Sequence, residues 1–251
     1  MVRIILSGCN GHMGRVLTDL IAQDPDTEVA AGIDVNDSIS NDYPVYKSPA
    51  DCSTAADVMI DFSNYRAVDG ILDYCAEKKM PLVLCTTGLS GEQIAKVEAC
   101  SGQTAILRSA NMSVGVNLLL KLLKQAAGIL APSGYDMEIV EEHHKRKLDA
   151  PSGTAIALAD SLNEGAGGGY HYTYERASRT AGRDPREIGI SSVRGGSIVG
   201  VHDVIFAGSD EVIEFKHTAY SRAIFGNGAI AAAKFLCGKE AGLYDMSDVI
   251  G

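Results

Sequence analysis

The chain has 251 residues, 46% of them hydrophobic, with 6% aromatics, no Trp and a formal net charge of −10. That length suits one large α/β domain or two modest ones, and the apolar content fills an aliphatic core and excludes wholesale disorder. The acidic balance argues against nucleic acid and membrane as partners, so any basic cluster stands out. The six cysteines, Cys9, Cys52, Cys75, Cys85, Cys100 and Cys237, form no C-x-x-C pair and no metal-ligand spacing; no metal is expected, and a reducing compartment is. Met1 leads straight into Val-Arg-Ile-Ile-Leu with no signal-like head, and no apolar run is long enough to span a bilayer. A cytoplasmic protein is therefore expected.

In chain order, Val2 to Leu6 reads as a buried strand and Met13 to Ala22 as a helix with apolar residues at helical spacing. Glu28 to Asp34 is a second strand, followed by a polar, Pro-containing stretch to Cys52 that reads as loop. Asp57 to Phe62, Pro81 to Cys85 and Ala105 to Arg108 are further strands, separated by helices at Ala67 to Lys79 and from Ser90, a cap, to about Cys100. Strand–helix alternation predicts a parallel sheet wound by right-handed crossovers. Beyond Asn111 the pattern changes. Val114 to Leu130 is a long apolar helix, Met137 to Glu142 a strand and Thr154 to Leu162 a helix; Asn163 to Gly189 is rich in Gly and charge with few apolar anchors, and its Gly-Ala-Gly-Gly-Gly run at 165–169 reads as a mobile loop. Val193, Ile198 to Val201, Val204 to Phe206 and Val212 to Lys216 read as antiparallel strands joined by tight turns, and Ala223 to Leu236 as a final helix. An α/β half thus precedes an α+β half. The first half is short of strands, so economy of burial predicts that the last helix returns to it and makes that domain discontinuous.

Gly8-Cys9-Asn10-Gly11-His12-Met13-Gly14 lies between the first strand and first helix. Glycines there let backbone approach a pyrophosphate while the helix start offers free N–H groups. The spacing is G-x-x-G-x-x-G, a variant of the dinucleotide fingerprint; the competing reading is a turn whose glycines serve packing alone. Asp34, ending the second strand, stands where an acidic residue binds ribose hydroxyls, and no Lys or Arg follows it to receive a 2′-phosphate. NADH is therefore expected over NADPH. Phe62-Ser63, Cys85-Thr86-Thr87 and Ser109-Ala110-Asn111-Met112 end three further strands on the same rim, where ligands bind in such sheets. Ordinary helix capping by Ser63 or Thr87 is the alternative for either loop alone.

The segment Glu141-Glu142-His143-His144-Lys145-Arg146-Lys147-Leu148-Asp149-Ala150-Pro151-Ser152-Gly153-Thr154 places five consecutive His, Lys or Arg residues between a strand and a helix. The helix start with Ser152 and Thr154 hydroxyls makes an anion pocket, and a basic loop beside it suits a substrate with more than one carboxylate or phosphate. A His or a desolvated Lys here can act as general acid. A solvated loop with an ordinary cap is the bland alternative. His12, His171, His202 and His217 have no comparable sequence neighbours.

These residues resemble the dihydrodipicolinate reductase (4-hydroxy-tetrahydrodipicolinate reductase) family. The resemblance rests on E-x-H-H-x-x-K-x-D-A-P-S-G-T-A at Glu141 onwards, the N-terminal Gly loop, Asp61-Phe62-Ser63, Thr86-Thr87-Gly88, Asn111 to Asn117, Arg194-Gly195-Gly196 and Gly242 to Met246. It implies a Rossmann-like domain over 1–112 and 223–251, plus a smaller α+β substrate-binding and tetramerisation domain over 113–222. It further implies NADH- or NADPH-dependent reduction of a cyclic dicarboxylate on the diaminopimelate route to lysine, by a homotetramer. His143 matches the family's proton donor and Lys147 its partner; His144, Ser152, Gly153 and Thr154 match residues that hold the substrate carboxylates. Cys85 departs from a usual Gly and Met112 from a usual aromatic, which bears on cofactor preference; the Met112 thioether is expected to pack on the nicotinamide. Rival readings are a semialdehyde dehydrogenase using Cys85 as nucleophile and a non-catalytic NAD sensor, which would not need His143 and Lys147.

Overall fold

The computed structural model describes residues 1–251 other than Asp37 and Ala110, and the chain divides into two compact units, Met1–Val114 with Ala223–Gly251, and Gly115–Arg222. Among the described residues, the first unit is built on a seven-stranded sheet, in the order β12-β6-β5-β4-β1-β2-β3. Its strands are β1 (Val2–Ser7), β2 (Thr27–Ile33), β3 (Val45–Tyr46), β4 (Val58–Asp61), β5 (Leu82–Leu84), β6 (Ala105–Leu107) and β12 (Gly242–Tyr244), all paired in parallel. The strands are short and mostly apolar, as burial on both faces requires. One face carries α1 (His12–Gln23) and α6 (Ala223–Leu236); Leu17, Ile21, Ala229, Ala233 and Leu236 pack there on Ile4, Leu6, Val58 and Ile60. The other carries α2 (Val68–Lys78) and α3 (Gly91–Ser101) over Ile5, Met59 and Leu82. Ser90 caps α3 in a reciprocal box with Gln93.

The return of the chain to this sheet goes beyond α6. β12 adds an edge strand beside β6, and a short α7 (Met246–Ile250) tucks Met246 into the core. Neither element is expected from the sequence pattern, and neither is β3, which pairs with the end of β2 inside the stretch read as loop. Each is too short to show periodicity of its own.

The second unit holds a mixed sheet, β11-β10-β7-β9-β8, made of β7 (Asp136–His143), β8 (His171–Thr173), β9 (Glu187–Arg194), β10 (Gly200–Ala207) and β11 (Val212–Ala219). Helices α4 (Val114–Leu130) and α5 (Gly153–Gly165) cover one face, packing Leu119, Leu123, Leu158 and Leu162 on Met137, Ile139, Ile188 and Phe206. Two expectations are corrected. Val201, the end of the first apolar piece, and the piece Val204 to Phe206 belong to one strand, with Ile198 and Val199 ahead of it, and β9 runs parallel to β7 rather than as part of an antiparallel ribbon. The Gly-rich, charged stretch 163–189 also holds regular structure. It contains β8 and the start of β9, where fully buried Glu187 accepts a hydrogen bond from Arg179 and forms an ion pair with Arg176, at 2.7 Å each. A buried carboxylate needs such partners, so ion pairing orders a segment poor in apolar anchors.

Candidate active site

In the first unit, β1 ends in a turn that only glycine can make. Gly8 has φ +78°, and a Cβ there would lie 2.7 Å from the Phe62 carbonyl; a Cβ on Gly14 would lie 2.2 Å from the Gly8 carbonyl. α1 then opens on Gly11, and among the described residues no side chain caps it. Its first N–H groups are left for a ligand, with the helix dipole favouring an anion. Beside the turn is a cavity of about 640 Å³ lined by Gly8, Gly11, Asp34 and Phe62, among others. Asp34 is held facing it by the N–H groups of Asn10 and Asn36, both at 2.9 Å. A backbone cradle, an uncapped helix start and an oriented carboxylate fit a dinucleotide.

The other rim residues are distributed less simply. The Cys9 side chain turns inward into the core beside Gly32 and Tyr43, with its thiol pushed up to about 11, chiefly by burial, so only its backbone belongs to the cradle. Asn10 braces the loop after β2 by donating to the Asn36 carbonyl. His12 and Met13 form the first turn of α1. The Thr86 hydroxyl donates to buried Asp61 at 2.6 Å and so points into the fold, whereas Thr87 is exposed. Ser109 is half-buried, the Asn111 side chain accepts from the Ser113 N–H, and Ala110 lies outside the described residues. Met112 is 4% exposed within the aliphatic core, so its thioether packs against the fold; the expectation that it covers a nicotinamide is corrected by that burial. Burial also pushes the Cys85 thiol well up, which removes it as a nucleophile. Finally, Lys47 and Arg66 line the same cavity as Asp34. The pairing of β3 with β2 brings Lys47 there, and no local spacing reveals it.

In the second unit, alternation along β7 buries Met137, Ile139, Glu141 and His143 on one face. Glu141 is fully buried. It is held by Arg194, whose Nη1 and Nη2 donate to Oε2 and Oε1 at 2.9 and 2.6 Å. Its Oε2 also meets His143 Nδ1 at 2.5 Å, and its Oε1 accepts the Ser152 N–H at 3.2 Å. Burial alone would raise this carboxyl, but hydrogen bonds from Arg194, Ser192 and His143 outweigh it and bring it down to about 2. The pKa of His143 lies below its ordinary value, because burial, with Lys147 and Arg194 adding positive charge nearby, opposes the cation more than Glu141 favours it.

His202, on β10, completes the cluster. Its ring stands edge-on to His143 at 5.2 Å between centroids, and its Nε2 lies 3.0 Å from the Ser152 hydroxyl. It was set aside in the sequence for want of neighbours; the sheet supplies them. Burial and then the His143 charge bring its pKa down to about 4. Ser152 requires a second correction. Its hydroxyl is 2% exposed and accepts the Ala155 N–H at 3.1 Å, so it serves as the cap of α5 and not as an open ligand group. Gly153 is exposed and Thr154 half-buried at the same turn. The basic loop doubles back, Lys147 N–H to the His144 carbonyl, and the Lys147 ammonium pairs with Asp149 at 2.9 Å. His144 Nδ1 is buried without a hydrogen-bond partner. Sequence reasoning missed the parts played by Glu141 and Arg194. The alternation of β7 is the signal that places Glu141 beside His143; nothing local announces Arg194. Among the described residues no cluster suits a metal ion, and no helix is long and apolar enough to cross a membrane.

Residues 2–112 match the family model described as Dihydrodipicolinate reductase, N-terminus, and residues 115–250 its C-terminus. The chain is 49% identical over 250 residues to the 4-hydroxy-tetrahydrodipicolinate reductase of Caldanaerobacter subterraneus subsp. tengcongensis, covering 100% of this chain and 98% of that one. It is 46% identical over 246 residues to the enzyme of the same name from Clostridium tetani, covering 98% and 96%. A dipicolinate-bound dihydrodipicolinate reductase from Paenisporosarcina sp. TG-14 shares the fold, with a TM-score of 0.83 at 23% identity over 98% of this chain and 97% of that one. A probable dehydrogenase from Thermotoga maritima is more distant, with a TM-score of 0.61 at 12% identity over 99% and 92%. The chain belongs to the 4-hydroxy-tetrahydrodipicolinate (dihydrodipicolinate) reductase family, NAD(P)H-dependent oxidoreductases of lysine and diaminopimelate biosynthesis.

Proposed function

We propose that the second unit binds the cyclic dicarboxylate at the start of α5 and that His143 delivers the proton of the reduction, with Lys147 as its partner in catalysis. The observation that carries this is the shared anchor. Glu141 Oε1 and Oε2 hold the Ser152 N–H and the His143 ring, so an acid and an anion-binding helix start are fixed side by side. Gly153 and Thr154 present the turn to one carboxylate, Ser152 shapes that turn as its cap, and His144 offers a buried, unpartnered nitrogen. Arrival of two carboxylates favours the imidazolium that the resting site disfavours, so the substrate itself charges the acid. Lys147 adds a mobile positive charge that Asp149 keeps close.

The nicotinamide cofactor, when bound, supplies the hydride. The chain's own part is to cradle the pyrophosphate at Gly8 to Met13 and to accept the ribose hydroxyls at Asp34. The loops at Phe62, at Cys85 to Thr87 and at Ser109, Asn111 and Met112 shape the rim. Asp34 repels a 2′-phosphate, so NADH is the preferred cofactor; Lys47 and Arg66 soften that preference without reversing it. The sheet face turned away from α4 and α5 carries Val140, Val193, Val201, Ile205 and Val212, interleaved with Glu138, Glu142, Asp203 and Glu214, and its apolar members support a homotetramer built through the second unit. The cytoplasm, where this cofactor and pathway reside, is the expected compartment.

The test is oxidation of NADH on adding dihydrodipicolinate synthase with pyruvate and aspartate semialdehyde, which forms the cyclic substrate in situ. Oxidation dependent on all components, with a lower KM for NADH than for NADPH, is expected. Equal or reversed KM values overturn the reading of Asp34. A His143→Gln variant that turns over at the wild-type rate overturns the proton-donor assignment. Light scattering that shows a monomer overturns the tetramer.

A further inference from the structure

Glu141 is the one fully buried carboxylate of the second unit that touches both halves of the proposed substrate site, and the reaction as described gives it no part. It is also the most heavily bonded. Arg194 grips both oxygens in a fork, His143 meets Oε2, and the Ser152 N–H meets Oε1. The guanidinium is itself anchored, donating to the Asp149 carbonyl at 2.8 Å and the Val193 carbonyl at 2.7 Å. Five contributors from separate parts of the chain therefore converge here: β7, β9, the basic loop, the start of α5 and, through His202, β10.

We infer that Glu141, clamped by Arg194, is a positioning residue that fixes the His143 ring and the carboxylate-binding turn of α5 as one unit. The inference rests on the role given above to His143. The chemistry follows from the bonds. A carboxylate so deeply ionised can only accept. His143 Nδ1 must therefore carry the proton, which leaves Nε2 as the titrating nitrogen, the atom that takes up and gives back a proton. Gly200 backs that same edge; a Cβ there would stand 3.1 Å from Nε2, so the position keeps the ring edge unobstructed. Because Oε1 holds the Ser152 N–H, a displacement of Glu141 moves the ring and the turn together. Arg194 does two things at once. It neutralises the buried carboxylate, and it sets the fork geometry that a lysine cannot reproduce.

Several charged and titratable groups surround His143. Glu141 on β7, Arg194 on β9, Lys147 in the basic loop and His202 on β10 face it, with His217 on β11 paired to His202. Among these Glu141 alone is anionic, so its removal changes the sign of the ring's surroundings.

The test combines NMR of the imidazole nitrogens with steady-state kinetics. In the wild-type protein above neutral pH, His143 should be protonated at Nδ1. Glu141→Gln should mix or reverse that tautomer and lower kcat on the order of 100-fold. It should weaken binding of dipicolinate, used as a stable dicarboxylate probe, several-fold, and leave the KM for NADH unchanged. The acid limb of the kcat profile should move, which a purely structural residue would not cause. Arg194→Lys, which keeps the charge but loses the fork, should retain the tautomer and lose less activity than Glu141→Gln. If Glu141→Gln does not fold, the wild-type tautomer and Arg194→Lys still decide. A wild-type ring protonated at Nε2 overturns the inference, as does a folded Glu141→Gln with unchanged tautomer and kcat. Should His143→Gln retain activity, the proton-donor role falls, and the tautomer still reports separately whether Glu141 orients the ring.

Discussion

Helices α1 and α5 both follow a strand and both start at a predicted anion site, yet they are built in opposite ways. α1 begins on Gly11, and no described side chain caps it; its ligand surface is backbone, kept open by Gly8 and Gly14. α5 begins on Ser152, whose hydroxyl is taken by Ala155 N–H and His202, and whose own N–H is taken by Glu141. The first start offers empty donors. The second has its donors and acceptors largely committed to a buried network, with Gly153 as its exposed edge. A pyrophosphate common to many substrates needs only backbone and a dipole. A small ring that must be protonated at one atom needs side chains in fixed orientation.

That contrast can be broken most sharply at Lys147. If the second site is the chemical one, Lys147→Ala should lower turnover roughly 100- to 10,000-fold. NADH binding, followed by fluorescence titration, should stay nearly intact. Loss of both together would mean that the two sites are not separable functions. The converse substitution is Gly14→Ala. A methyl placed 2.2 Å from the Gly8 carbonyl must force the turn apart. NADH affinity should fall at least 10-fold, about 1.4 kcal/mol, while dipicolinate binding to the second unit persists. Unchanged NADH affinity in a folded variant would show that the glycine turn serves packing alone.

The two sites also differ in how far they could be read from the sequence. The glycine spacing and Asp34 were legible because every part of that cradle lies within one strand–helix–strand unit of consecutive sequence. The basic segment was legible as charge, and its assignment to particular roles came from family resemblance. Neither route reached Arg194 as the partner of Glu141, or His202 as the neighbour of His143, because strand pairing between residues far apart makes those contacts. The same reason explains Lys47, carried to the cofactor cavity by a two-residue strand. Where the sequence pointed to the wrong side-chain fate, at Cys9, Met112 and Ser152, the residue was placed at the right turn. Its side chain then found a better partner inside the fold than outside it. The long amphipathic helices and apolar strands were plain from periodicity; β3, β12 and α7 were not, being shorter than any period.

The buried network should leave a signature in acid that the backbone cradle does not. The pKa of His202 falls from an ordinary 6.5 to about 4, so in that window the unfolded chain binds a proton that the native site refuses. Stability from this group is full above about pH 6.5 and is lost as pH falls towards 4, with a slope of up to about 1.4 kcal/mol per pH unit. Glu141 acts in a lower window: its stabilisation holds above its unfolded value, near 4.5, and is lost as pH falls towards about 2. Denaturant midpoints measured across pH 7 to 4 should therefore decline in the wild type and decline less in His202→Asn. Parallel curves would mean that His202 is not held neutral.

The smallest effect expected is the one that refines the cofactor cradle. Asp34 and Lys47 line one cavity, an acid suited to ribose hydroxyls and a base suited to a phosphate. The acid is fixed facing the cavity by two backbone N–H groups, so Asp34 should set the preference and Lys47, at the cavity's exposed edge, only moderate it. Lys47→Ala should raise the KM for NADPH a few-fold, the size of one exposed charge contact of up to about 1 kcal/mol, and leave the KM for NADH unchanged. The NADPH effect should shrink as salt is raised, because screening reaches an exposed lysine first. A substitution that raises both KM values equally would place Lys47 against a part common to the two cofactors, and the selectivity of the cradle would then rest on Asp34 and Arg66.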